Sequence, residues 1–146
     1  MRQHFFIVIL IVALSLTGCN ERTSDYALSP SFDLDMGSNQ AIEVTGIEGK
    51  IAISYTKPFQ ADTPYDVLWL FWNNQNKIEG KKMEVMGFKK DSTLTSQILV
   101  VENLGGTHLG ANAHHKTKMI IPEPGIWRLQ VKIEGQDFGD IVLEVK

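Results

Sequence analysis

Between residues 41 and 146, short apolar stretches alternate with turn-forming clusters, and the stretches carry period two instead of 3.6. Trp127, Leu129, Val131 and Ile133 alternate with Ile126, Arg128, Gln130 and Lys132, the pattern of a strand buried on one face. After the turn-like Glu134-Gly135-Gln136-Asp137, residues 138–145 resume with Ile141, Leu143 and Val145 on one side. A C-terminal β-hairpin is expected. Pro124-Gly125 suits the second and third positions of a type II turn, where proline presets φ and glycine accepts a positive one. Residues 116–121 are therefore expected to pair into the same sheet.

Upstream, residues 41–45 and 50–55 are short strands separated by Gly46-Ile47-Glu48-Gly49. Residues 67–72, Val-Leu-Trp-Leu-Phe-Trp, are apolar on both faces, so they predict a central strand covered on both sides or lying under a loop. Residues 73–80 form a turn cluster, 82–88 another strand and 93–101 a longer one. No segment keeps the i, i+3, i+4, i+7 spacing of an amphipathic helix over useful length. About seven to eight strands in a single domain predict an all-β fold, an antiparallel immunoglobulin-like β-sandwich, with a small barrel as the alternative. Trp69 falls where such sandwiches carry a core tryptophan.

The N-terminus follows a different pattern. A basic start at Arg2, an apolar run over residues 5–16 and the exit Thr17-Gly18-Cys19 make the three-part plan of a secretory signal. As a helix the run would span roughly 18 Å, short of a hydrocarbon core of about 30 Å. Leu16-Thr17-Gly18-Cys19 resembles the lipobox of bacterial lipoproteins. The resemblance implies cleavage of residues 1–18, diacylglycerol on the Cys19 thiol and a lipid-anchored location outside the cytoplasm. Two acyl chains suffice for stable anchoring. Cys19 is the sole cysteine, so with its thiol lipidated no disulfide or thiolate metal site remains to the domain. Residues 19–40, rich in Ser, Asp, Asn and Thr, are expected to be a flexible tether, the alternative being an edge strand over residues 26–34. The domain itself is expected over residues 41–146.

Charge adds an exclusion. Removing residues 1–18 takes away Arg2 and no acid, moving the formal net charge from −3 to −4. A mildly acidic, mixed surface lacks the basic patch that nucleic-acid binding demands.

Candidate chemistry concentrates in the Gly-rich run Asn103-Leu104-Gly105-Gly106-Thr107-His108-Leu109-Gly110-Ala111-Asn112-Ala113-His114-His115. A flexible loop could bring His108 and His114 or His115 onto one ion. Neutral imidazole suits copper and zinc, and Met119 would add a thioether for Cu(I). Against this, His114 and His115 face opposite ways on an extended chain, and no carboxylate lies inside the run. The glycines equally suit a tight interstrand connection. Trp69, Phe71, Trp72 and Trp127 could form a stacking platform. Alternation assigns Trp69, Phe71 and Trp127 to the core and leaves Trp72, at a strand end, as the candidate contact. Met83 and Val85 alternate inward as core filling, while Met86 faces the other way with Phe88. No G-x-S-x-G elbow, phosphate-binding loop or Ser/His/acid grouping is present, so no catalytic residue is expected.

Residues 41–146 also resemble a group of uncharacterised lipoproteins of Gram-positive, spore-forming bacteria. The resemblance rests on Gly46-Ile47-Glu48-Gly49-Lys50-Ile51, Asn103-Leu104-Gly105-Gly106 and Gly110-Ala111-Asn112-Ala113-His114. It continues through Pro124-Gly125-Ile126-Trp127-Arg128-Leu129 and Phe138-Gly139-Asp140-Ile141-Val142-Leu143-Glu144-Val145. It implies a lipidated extracytoplasmic β-sandwich and supplies no activity. The sequence thus predicts a non-enzymatic envelope module without a cofactor beyond its lipid. The module would bind a protein or polymer through Trp72, Asn103, His108, His114 and His115. The competing reading is a copper or zinc protein built on His108, His114, His115 and Met119.

Overall fold

The computed structural model describes residues 23–146; the predicted signal segment and Cys19 lie outside them. A short 3-10 turn, Thr23–Tyr26, precedes nine strands: β1 Ser31–Gly37, β2 Gln40–Ile47, β3 Ile51–Ser54, β4 Tyr65–Phe71, β5 Met83–Lys89, β6 Thr95–Val101, β7 Ala113–Met119, β8 Gly125–Ile133 and β9 Gln136–Val145. They form two antiparallel sheets, ordered β1-β2-β3-β4-β7 and β6-β5-β8-β9. This is the all-β sandwich that the alternation predicts, with one strand more.

The alternation works as expected in the core. Trp127, Leu129 and Val131 of β8 are fully buried, as are Met83 and Val85 of β5 and Ile141 of β9. They meet Ile51, Ile53, Val67, Trp69, Phe71 and Met119 of the facing sheet in one cluster. Each such side chain contributes about 1.5–3 kcal/mol on burial. Met86 and Phe88 fall on the outer face of β5, half-buried. The hairpin β8–β9 closes through Glu134-Gly135, with φ of 51° and 75° and Ile133 opposite Gln136. Two consecutive positive φ values are what a two-residue type I′ connection needs to match strand twist.

Two expectations need correction. The sheet does not begin at residue 41: β1 lies inside the segment expected to be tether and pairs with β2, Phe32 opposite Val44 and Leu34 opposite Ile42. Period-two burial decides this, since Phe32 and Leu34 are half-buried while Asp33 and Asp35 are exposed. Residues 116–121 do not join the C-terminal hairpin's sheet either. β7 pairs with β4, Trp69 opposite His115 and Phe71 opposite Ala113. The Pro124-Gly125 segment crosses between the layers instead of closing a hairpin; Gly125 takes φ +134°, and a side chain there would meet Lys89.

The segment ahead of β1 is fastened to the other layer. Ser29 N–H donates to the Val142 carbonyl at 2.9 Å, and Val142 N–H donates to Ser29 Oγ at 2.9 Å. Pro30 then hands the chain to the five-stranded sheet, its carbonyl accepting from Gly46 N–H at 3.0 Å. The turn Thr23–Tyr26 packs on β8, where the Arg128 guanidinium lies 5.8 Å from the Tyr26 ring and 4.8 Å from the Phe88 ring. Arg128 also bonds Asp140 at 3.0 Å. The stretch from Thr23 to Pro30 is a strap over the four-stranded sheet.

Candidate functional site

The second apolar face of β4 is covered by the Gly-rich loop. Leu70, pointing away from the main core, is fully buried. It clusters with Val44, Ala52 and Ala111, flanked by half-buried Phe32, Leu34, Ile42, Leu68 and Trp72. This outer stripe runs across β1, β2, β3 and β4 and ends under the loop. The reading of residues 67–72 as a strand lying under a loop describes what is seen.

The loop is tightly built. Leu104 plugs into the main core, with its N–H donating to the Lys81 carbonyl and its carbonyl accepting from Gly80 N–H. Gly105 pairs with His114 at 2.8 and 3.2 Å, and a Cβ on Gly105 would come within 2.9 Å of the His114 ring. Glycine is required there by close approach. His108 and Ala111 exchange backbone bonds of 3.1 and 2.8 Å around Leu109-Gly110, whose φ values are 49° and 78°. A leucine in the left-handed region costs roughly 1–2 kcal/mol, offset here by the cross-loop bonds. Trp72 Nε1 donates to the Gly110 carbonyl at 3.0 Å and holds the loop tip on the stripe.

These bonds bring His108 and His114 together, ring centroids 4.6 Å apart. His114 Nδ1 lies 2.7 Å from the Gly106 carbonyl. A carbonyl only accepts, so Nδ1 carries the proton and neutral His114 presents Nε2 as its acceptor. His115 is opposite Trp69 and Met119 opposite Tyr65, on the other face of β7, with Met119 fully buried. The proposed metal set is therefore split, two residues outside and two facing inward. Among the described residues no group of three or more His, Cys, Asp or Glu side chains is placed to hold an ion. Asn103 is exposed at the start of the loop.

Among the described residues, three of the surface clefts lie at the two ends of the sandwich. One of about 320 Å³ lies beside the loop between residues 73–79, Thr107 and Asn112. Its amides bond each other: Asn112 Oδ1 accepts from Asn73 N–H at 2.7 Å, and Asn73 Oδ1 accepts from Gln75 and Asn76 N–H. The other two, of about 510 and 630 Å³, flank Tyr55 at the opposite end of the sandwich. Burial raises the Tyr55 phenol above its ordinary value of 10.0, opposed by nearby Lys57, so it stays protonated. Lys57 pairs with Glu43 and donates to Ser31 Oγ.

Of the candidate residues read from the sequence, the structure brings Trp72, His108 and His114 to one corner, leaves Asn103 exposed at the start of the loop and turns His115 to the inner face; Phe32, Leu34 and Ile42 beside the corner were not among them. The signal was present: Phe32-Asp33-Leu34-Asp35-Met36 alternates with period two, masked by the polar composition around it.

An all-β sandwich module is the class these features define. The chain belongs to the family described as a domain of unknown function, DUF4871, whose model matches residues 22–143. Among solved structures it is similar to a crystal structure described as a "putative lipoprotein" from Bacillus anthracis. The two are 19% identical over 83% of this chain and 86% of that one, with a TM-score of 0.61. That likeness shows a shared fold. No curated protein matches the chain.

Proposed function

We propose that this protein is a lipid-anchored extracytoplasmic module that binds an envelope protein or polymer without catalysis, using the outer stripe of the five-stranded sheet and the loop corner of Trp72, His108 and His114. The observation that carries the reading is the stripe: half-buried Phe32, Leu34, Ile42 and Leu68 lie contiguous on one face, and contiguous exposed apolar surface marks interaction sites. Lipid anchoring is supported by the Leu16-Thr17-Gly18-Cys19 segment and by the description of the Bacillus anthracis protein. The corner presents a loop on a rigid sheet, the ordinary design of a binding surface.

The test is cross-linking in living cells followed by mass spectrometry of what is captured. Leu34→Lys on the stripe is expected to abolish capture while the purified variant unfolds at nearly the same temperature. Unchanged capture with Leu34→Lys and with Trp72→Ala would remove this face from the function. Cys19→Ser is expected to release the protein from the membrane fraction, and retention there would remove the lipid anchor.

A further inference from the structure

The strap fixes where the chain leaves the domain, and that point lies diagonally across the sandwich from the loop corner. Arg128, which holds Tyr26, is opposite Phe88 and Val142 on the outer face of the four-stranded sheet. It stands five residues before Ile133 on β8, roughly 17 Å at 3.3–3.4 Å per residue. Ile133 is opposite Met83, and Met83 is opposite Val101, the strand end from which the Gly-rich loop departs. The loop corner is thus at the other end of the strands. It is also in the other layer, since Leu70 and Trp72 face outward from the five-stranded sheet. Sheets stack about 10 Å apart, and a layer of side chains adds to that on each outside.

Four residue steps separate Cys19 from Thr23, at most about 14 Å of extended chain. That reach is shorter than the path from the strap around the sandwich to the loop corner. Resting on the lipid-anchor reading, we infer that the mature protein is held with the outer face of its four-stranded sheet toward the bilayer and its Trp72–His114 corner pointing away. The contact with lipid is set by the short leash and not by charge. Arg128, Lys82 and Lys132 on that face are each paired with an acid, Asp140, Glu84 and Asp137, so an anionic surface gains nothing there. The binding corner then faces a partner in the space beyond the membrane, not the membrane itself.

The experiment uses full-length, lipidated protein in phosphatidylcholine vesicles. The lipid blocks the sole native thiol, so a single added cysteine carries the probe. Thr95→Cys, exposed on β6 opposite Phe88, and Thr107→Cys, exposed in the loop, are each labelled with a fluorophore. Quenching by headgroup-nitroxide lipid is then measured. Quenching at residue 95 is expected to exceed that at residue 107 several-fold. Inserting twenty Gly/Ser residues between Asn20 and Glu21 is expected to erase the difference. Equal quenching in the native protein, or stronger quenching at residue 107, overturns the orientation while the protein still floats with the vesicles. Failure of the unlabelled protein to float overturns the lipid anchor instead.

Discussion

On the outside of the four-stranded sheet, Arg128 pairs with Asp140, Lys82 with Glu84 and Lys132 with Asp137, at 3.0, 3.0 and 3.9 Å. At the same positions of the five-stranded sheet stand Phe32, Leu34, Ile42, Val44, Ala52, Leu68 and Leu70. Both faces come from the same alternation, yet one is covered by the protein's own strap and ion pairs and the other is left half open. A solvated sheet face ordinarily turns polar. Remaining apolar over four strands is a departure from that rule, and departures concentrate where a surface has a use.

The comparison breaks most sharply at Leu70. If the outer stripe is a second core, Leu70→Ala is expected to cost about 2–5 kcal/mol, the range for emptying a sealed site. Gln97→Ala, at an exposed outer position of β6, is expected to stay within about 0.5 kcal/mol. Denaturant midpoints check both, and equal small losses would show that the stripe stabilises nothing.

Arg128→Ala tests the covered face. It removes two cation–π contacts of about 0.5–1 kcal/mol each and strands the Asp140 carboxylate. A loss of about 1–2 kcal/mol is expected, with faster hydrogen exchange at the amides of Ser29 and Val142, which the strap protects. Unchanged exchange would mean that Arg128 does not hold the strap.

The smallest effect is alkaline. With its phenol raised by burial, Tyr55 binds its proton more tightly in the folded chain than in the unfolded one. Its contribution is constant below the unfolded value near 10 and is lost as pH rises through the folded value. Tyr55→Phe is expected to flatten the fall in melting temperature as pH rises past about 10, a change of slope that a pH series of melting temperatures would show.

What was legible in the sequence follows from where periodicity is strong. β8 carries nine residues of clean alternation and is predicted almost to the residue, while β9 is predicted from residue 138, two residues after it begins. Residues 67–72 reveal cover on both sides because neither face is polar. The sheet partner of β7 is hidden, because its outer residues are charged and nothing local distinguishes a hairpin from a crossing between layers. β1 is hidden by composition: its acids outweigh Phe32 and Leu34 in any average, although the order of residues carries the strand. At the site, the meeting of His108 and His114 depends on Leu109 adopting a positive φ, a choice no leucine announces. Their separation from His115 follows from strand geometry alone.

The pairing of β4 with β7 joins residues 48 apart, as in the Trp69 Nε1 to Thr117 Oγ1 bond of 3.1 Å. No local hairpin can stand in for it, and contacts so distant along the chain must wait for loop closure. On the ribosome, the layer that carries Trp69 therefore stays unsealed until residue 119 has emerged. By then every residue ahead of β8 is already made, so the nascent chain remains loose through most of its synthesis.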